Sequence, residues 1–167
     1  MDFFEVIEKR FSVRGYTDRA VEQEKLDRIL EAGRLAPTAC NLQAFRILVI
    51  PTEKYAEKLG EIYSGSFFSK APLVLGVYAD YDACWVRGDG KNYAYVDAAI
   101  VMDHMILAAA AQGLGTCWIG AFNSQAARDF AGLGPQWEPV AFTPLGYTER
   151  TPRQKQRKDL EELVHYL

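Results

Sequence analysis

Residues 93–112 read YAYVDAAIVMDHMILAAAAQ, with apolar side chains on nearly every helical face. A helix on a protein surface pairs an apolar stripe with a polar back. This segment has almost no polar back, so the pattern predicts a helix buried all round. Gly113 and Gly115 end it and lead into Thr116-Cys117-Trp118-Ile119, which reads as a short strand.

On the N-terminal side, Phe3, Phe4, Val6 and Ile7 recur at helical spacing and predict a helix ending near Lys9 or Arg10. A second helix from Glu22 carries Leu26, Ile29, Leu30 and Gly33 on one side and stops before Pro37. Residues 45–50 read as a strand closed by Pro51, residues 53–62 as a short helix, and residues 72–78, PLVLGVY, as a buried strand. On the C-terminal side a helix is expected over 124–130 and a last strand over 139–147. The tail is polar and cationic before an apolar finish. No repeat or linker divides the chain, so residues 1–167 are expected to form one domain. Strands and helices alternate without a regular βαβ rhythm. Gly88-Asp89-Gly90 lacks the preceding strand and the spacing of a dinucleotide-binding loop. The pattern fits an α+β fold, a mixed sheet with a very apolar central helix.

Composition narrows the function. A net charge of -3 argues against a nucleic-acid binder, which needs a basic excess. Cys40, Cys84 and Cys117 are odd in number and form no CxxC pair, so a reducing compartment without disulfides is expected. The N-terminus lacks the long apolar core of a signal peptide, and no run reaches the roughly 20 apolar residues of a membrane helix. A soluble cytoplasmic protein is the expectation. With only His104 and His165, no nucleophile–histidine pair or metal site assembles, and His104 reads as a packed or hydrogen-bonded helix residue.

Four stretches remain. Arg10, Ser12 and Arg14 lie near the start, and Arg153, Lys155, Arg157 and Lys158 near the end. Arginine forks and a serine hydroxyl suit a phosphate, although each cluster alone equally suits a solvated face. LAPTACNLQAF, 35–45, is a polar turn whose Asn41 and Gln43 amides offer donors and acceptors to a heterocycle edge; otherwise it is an asparagine-stabilised turn. GLGTCWIGAF, 113–122, either presents backbone N–H groups and Trp118 to a ring or is a tight connection with Trp118 packed inside.

In order along the chain, KRFSVRGY, APTACNLQAF, DAAIVMDHMILAAAAQGLGTCWIGAF, PLGY and QRKDLEELVHY resemble the compact members of the nitroreductase family of FMN-dependent oxidoreductases. The resemblance covers essentially the whole chain. It implies a nitroreductase-like α+β fold, with a central mixed, mainly antiparallel sheet flanked by helices and the long buried helix at the interface of a twofold homodimer. It also implies FMN as cofactor and NADH or NADPH as electron donor. Carried over by position, it assigns Arg10, Ser12 and Arg14 to the FMN phosphate region, with Gly15 turning the chain away. Lys155 and Arg157 match a C-terminal phosphate clamp. Pro37, Thr38, Asn41 and Gln43 fall where the family contacts the isoalloxazine ring, commonly from a second subunit, and Ile119 and Gly120 fall near the flavin N5 side.

Three departures bear on this. Ala44-Phe45 stands where the family often has Pro-Trp, and Gly120-Ala121 where larger members have Glu-Gly, which removes a carboxylate. A helical insertion that shapes the substrate pocket of larger members is absent. The expected activity is electron transfer through flavin N5 to nitroaromatics, quinones or similar electron-poor acceptors. The alternatives are another flavin reaction found among relatives (dehydrogenase, reductive dehalogenase or ring-opening oxidase) or a non-catalytic FMN-binding protein. No catalytic side chain is assigned, because the flavin carries the chemistry, and Cys40 and Cys117 are expected to be packing residues.

Overall fold

The computed structural model describes residues 1–152 and 155–167. The chain runs α1 (Phe3–Lys9), α2 (Gln23–Arg34), β1 (Phe45–Pro51), α3 (Thr52–Ile62), β2 (Leu73–Asp80), α4 (Ala94–Ala111), β3 (Gly115–Thr116), α5 (Ser124–Ala131), β4 (Trp137–Gly146) and α6 (Leu160–Leu163). The strands form one sheet in the order β1-β2-β4-β3, and every neighbouring pair is antiparallel. The expected parallel component is one isolated bridge, Ser12 to Thr116.

Successive strand residues point to opposite faces, and both faces of this sheet are covered. Leu75, Val77 and Ala79 of β2 join Ala141 and Leu145 against Leu26 and Ile29 of α2 and Val101, Met102 and Met105 of α4. Val74 and Tyr78 join Ile50 and Phe142 against Leu59 and Ile62 of α3 and Ala127 of α5. A strand wrapped on both faces needs apolar residues at every position, which is why residues 72–78 read as one continuous run. Gly76 is the exception. It lies opposite Phe142, and a Cβ there would come within 2.7 Å of the Phe142 ring.

The central helix departs from its expectation in one respect. Ala94, Asp97, Ala98, Val101, Met102, Met105, Ile106 and Ala109 are buried, a stripe at helical spacing. The opposite side, with Tyr95, Val96, Ile100 and Leu107, keeps surface exposed although it is almost as apolar. One chain has only one sheet face to offer, so α4 is buried on one side rather than all round. It has the length and apolarity of a membrane span, yet it packs its buried stripe on α2 and the sheet. Gly113, with φ of 76°, ends it, and the Leu114 N–H returns to the Ala109 carbonyl. His104 is half-buried, with Nδ1 3.0 Å from the Ile100 carbonyl.

Two terminal segments also turn apolar residues away from their own chain. In α1 only Val6 is buried, while Phe3 and Phe4 are exposed. In the tail Leu160, Leu163 and Tyr166 are exposed, although a capping box of Asp159 and Glu162 defines α6.

A polar knot joins α2 to the ends of α4 and β4. Lys25 Nζ donates to the Gln112 carbonyl and to the Tyr147 hydroxyl, and that hydroxyl donates to Glu22 Oε2 at 2.6 Å. Arg19 pairs with Glu22 and lies over the Tyr147 ring. The Tyr147 hydrogen bond, then the Glu22 backbone N–H and Arg19, hold the Glu22 carboxyl down at about 2. A carboxyl depressed on folding contributes stability above its unfolded value, about 4.3, and loses it as pH falls through its folded value. The stability difference between the wild type and Glu22→Gln should therefore shrink between pH 5 and pH 2, as read by urea titrations across that range. Gly76→Ala should lower stability by about 1–3 kcal/mol, because the Phe142 ring is locked among Phe68, Tyr78 and Phe122 and cannot yield. Thermal unfolding would show this as a drop of several degrees.

Candidate functional site

The stretch after α1 is extended and pinned to the sheet edge. The Val13 N–H donates to the Thr116 carbonyl at 2.8 Å, and Val13 is buried against Gly115, where a Cβ would sit 2.8 Å from Val13 Cγ2. With Val13 turned in, alternation turns Ser12 and Arg14 out together. Gly15 makes no turn there. Its φ is outside the left-handed region, its carbonyl accepts from Thr148 Oγ1, and a Cβ would sit 2.8 Å from Arg150 Nε. Close approach to the returning chain, rather than a reversal, accounts for glycine at this position.

The tail comes back to the same place. Lys155 Nζ donates to the Glu8 carbonyl at the C-terminal end of α1, where the helix dipole favours a cation. Partial burial, then Arg10 and Arg157, hold the Lys155 ammonium below the usual lysine range. Arg10 and Arg14 also act on the Cys117 thiol beside Ser12, although burial dominates and pushes that thiol up. Arg10, Ser12, Arg14, Lys155 and Arg157 thus converge from both ends of the chain. Among the described residues these four cations join no ion pair. A phosphate fits such a cluster, because it would relieve the repulsion that already lowers Lys155. Arg153, expected in this cluster, lies outside the described residues, and Lys158 pairs with Glu162 instead.

Residues 118–122 continue from Cys117 along the same sheet edge. The Ile119 N–H and carbonyl are both engaged by Phe142, at 2.8 and 3.1 Å. Gly120 is exposed, and a Cβ there would meet nothing closer than Trp118 Nε1 at 3.7 Å. Trp118 is partly exposed rather than packed inside.

The second group lies elsewhere. Pro37, Thr38, Asn41 and Gln43 lie on the loop into β1, built around a short 3-10 turn, Ala39–Asn41. Cys40, Asn41 and Gln43 have φ of 52°, 55° and 52°, three L residues in left-handed backbone within four positions. Thr38 Oγ1 accepts the Gln43 N–H, Gln43 Nε2 donates to the Asn41 carbonyl, and Asp97 Oδ1 of α4 accepts the Ala39 N–H. The Asn41 and Gln43 side chains are exposed. Cys40 is exposed too, so it is not a packing residue, whereas Cys117 is buried. Asp97 anchors this loop, and nothing in the sequence sets it apart from Asp103 and His104, other polar side chains of the same apolar helix.

One chain does not bring the two groups together. The loop enters β1, one edge strand, while Ser12 bridges β3, the other edge. Three strand spacings separate them by about 14 Å. The loop is tied to Asp97 in the first turns of α4, and the cations gather by Thr116, just past its C-terminal end. From Asp97 to Ala111 the helix rises about 21 Å.

The Nitroreductase family model matches residues 7–72 and 63–147. A nitroreductase family protein from Clostridium difficile 630 superposes with a TM-score of 0.92 at 37% identity, over 99% of this chain and 98% of that one. An FMN-dependent nitroreductase from Clostridium difficile R20291 superposes with a TM-score of 0.81 at 28% identity, over 98% of both chains. The FMN reductase (NAD(P)H) of Bacillus subtilis is 28% identical over 92% of this chain and 69% of its own. With the family model spanning most of the sequence and the fold shared end to end, the chain belongs to the nitroreductase family.

Proposed function

We propose that this protein works as a twofold homodimer in the reducing cytoplasm, passing electrons from NADH or NADPH through FMN to nitroaromatics, quinones or similar electron-poor acceptors. The broader class follows from the family and its relatives: the chain is an FMN-dependent NAD(P)H oxidoreductase. The observation that carries the dimer is the separation of the two residue groups along α4. A twofold axis across the outer face of α4 lays two copies of the helix antiparallel, so that the N-terminal turns of one lie beside the C-terminal end of the other. The loop of one copy then meets the cations of its partner. The same contact covers the apolar outer face of α4, and it supplies neighbours for Phe3, Phe4 and the apolar tail. The three free cysteines support a reducing compartment.

When bound, FMN would supply the redox chemistry that links the reduced nicotinamide to the acceptor. In this reading Arg10, Arg14, Lys155 and Arg157 neutralise the phosphate, and the Ser12 hydroxyl donates to one of its oxygens. Pro37 and Thr38 shape the ring contact. The Asn41 and Gln43 amides provide donors and acceptors at the ring edge. At the N5 side the Ile119 N–H is already engaged by Phe142, so the backbone donor in this reading is the Gly120 N–H, which has no backbone partner among the described residues. With Gly120-Ala121 there, no carboxylate stands at this point to move a proton, and water serves.

The purified protein should be yellow and should bleach on anaerobic addition of NADH or NADPH. A bound flavin that stays oxidised would replace the reductase reading with a binding role or another electron donor. Arg10→Ala combined with Arg157→Ala should weaken FMN binding by roughly a hundredfold or more and yield apoprotein, through loss of two charge-assisted contacts. Mixing that double variant with Asn41→Ala/Gln43→Ala should restore about a quarter of the sites, because random dimers then hold one intact composite site in every second dimer. No restoration on mixing would place each site within a single chain.

A further inference from the structure

The left-handed backbone at Cys40, Asn41 and Gln43 is disfavoured for L side chains and persists only where its surroundings fix it. Some of the fixing bonds are internal to the loop. Thr38 Oγ1 accepts the Gln43 N–H at 3.1 Å, and the Phe45 N–H donates to the Gln43 carbonyl at 2.8 Å. The bond that ties the front of the loop to α4 is different in kind. It runs from the Ala39 N–H to Asp97 Oδ1, 58 residues away in sequence, at 3.0 Å.

Asp97 is only 4% exposed. Its second oxygen, Oδ2, is buried and has no partner among the described residues. The buried Cys84 lies near enough that, after its own burial, the Asp97 carboxylate helps push its thiol up to about 11. An acid that served only the α4 dipole would do so from the solvent side of the first turns. A position that served only packing would be apolar, since a buried oxygen without a donor costs stability. What remains is the Ala39 bond. We propose that Asp97 is a positioning residue for the cofactor: its carboxylate takes the Ala39 N–H and so sets the shape of residues 38–43 before the flavin ring arrives. The inference rests on the proposed role of this loop in holding the ring.

The bond can be cut from either end. Asp97→Ala removes the acceptor. Ala39→Pro removes the donor at the first residue of a 3-10 turn, after an extended Thr38, and its ring Cδ takes the place of the amide hydrogen, so the Asp97 carboxylate must also move aside. The FMN dissociation constant, from fluorescence quenching during titration of apoprotein, should rise about tenfold or more in each variant through lost preorganisation. The double variant should be within about threefold of the weaker single, because both changes remove one interaction. Asp97→Asn keeps an oxygen for Ala39 and should bind within about threefold of wild type. The visible circular dichroism of bound flavin should change in Asp97→Ala and recover in Asp97→Asn. Wild-type affinity in Asp97→Ala, or fold-changes that multiply in the double variant, would overturn the proposal. Should Asp97→Ala fail to fold, wild-type affinity in Ala39→Pro alone would do the same. A wild-type protein that takes up no FMN would instead overturn the assignment of the loop.

Discussion

The constraint on which this structure depends is the burial of α4. Its side chains are apolar on almost every face, and the described residues of a single chain cover it with α2, one side of a four-stranded sheet and a small contact with α1. Burying the stripe from Ala94 to Ala109 fixes where α2 lies and which face of β2 carries Leu75, Val77 and Ala79. The stripe left over fixes what the chain must still find. A surface of that kind, rimmed by exposed aromatics such as Tyr95, is of the sort that marks association.

A second constraint is electrostatic. Arg10, Arg14, Lys155 and Arg157 are drawn to one point by backbone geometry: the bridge of Ser12 to Thr116 from one end, and the Lys155 bond to the end of α1 from the other. Like charges gathered in one place repel, and Arg10 and Arg157 add, after burial, to what holds the Lys155 ammonium down. In the proposed phosphate role, an anionic ligand at this exposed sheet edge would reverse the sign of the interaction.

What could be read from the sequence followed from periodicity and residue chemistry. The β2 run, the Leu26/Ile29/Gly33 side of α2 and the glycine stop after α4 each express a local rule, and each appears close to where the pattern put it. The cation clusters could be read as two halves of one phosphate site only with the help of the family resemblance, since their convergence depends on a tail that returns over more than a hundred residues. Other features depend on geometry that no single residue announces. The predicted strand over 116–119 is interrupted: Gly115 and Thr116 pair with Gly146 and Leu145 of β4, the Cys117 N–H donates to the Thr143 hydroxyl instead of a backbone carbonyl, and pairing resumes only as the isolated bridge of Ile119 to Phe142. The left-handed backbone at Cys40, Asn41 and Gln43 has no glycine to signal it, and the bond that ties it to α4 comes from an aspartate 58 residues away. Gly15 looks like a turn in sequence and proves to be a clearance for Arg150.

The distance between the loop and the cations along α4 has a consequence in cell physiology. In the proposed homodimer a binding place assembled from the opposite ends of two helices exists only as often as two copies meet, so its abundance at low expression would scale with the square of chain concentration rather than in proportion to it. Halving the gene dose would then remove more than half of the working capacity. A newly made chain would wait for a sister before it could hold its cofactor.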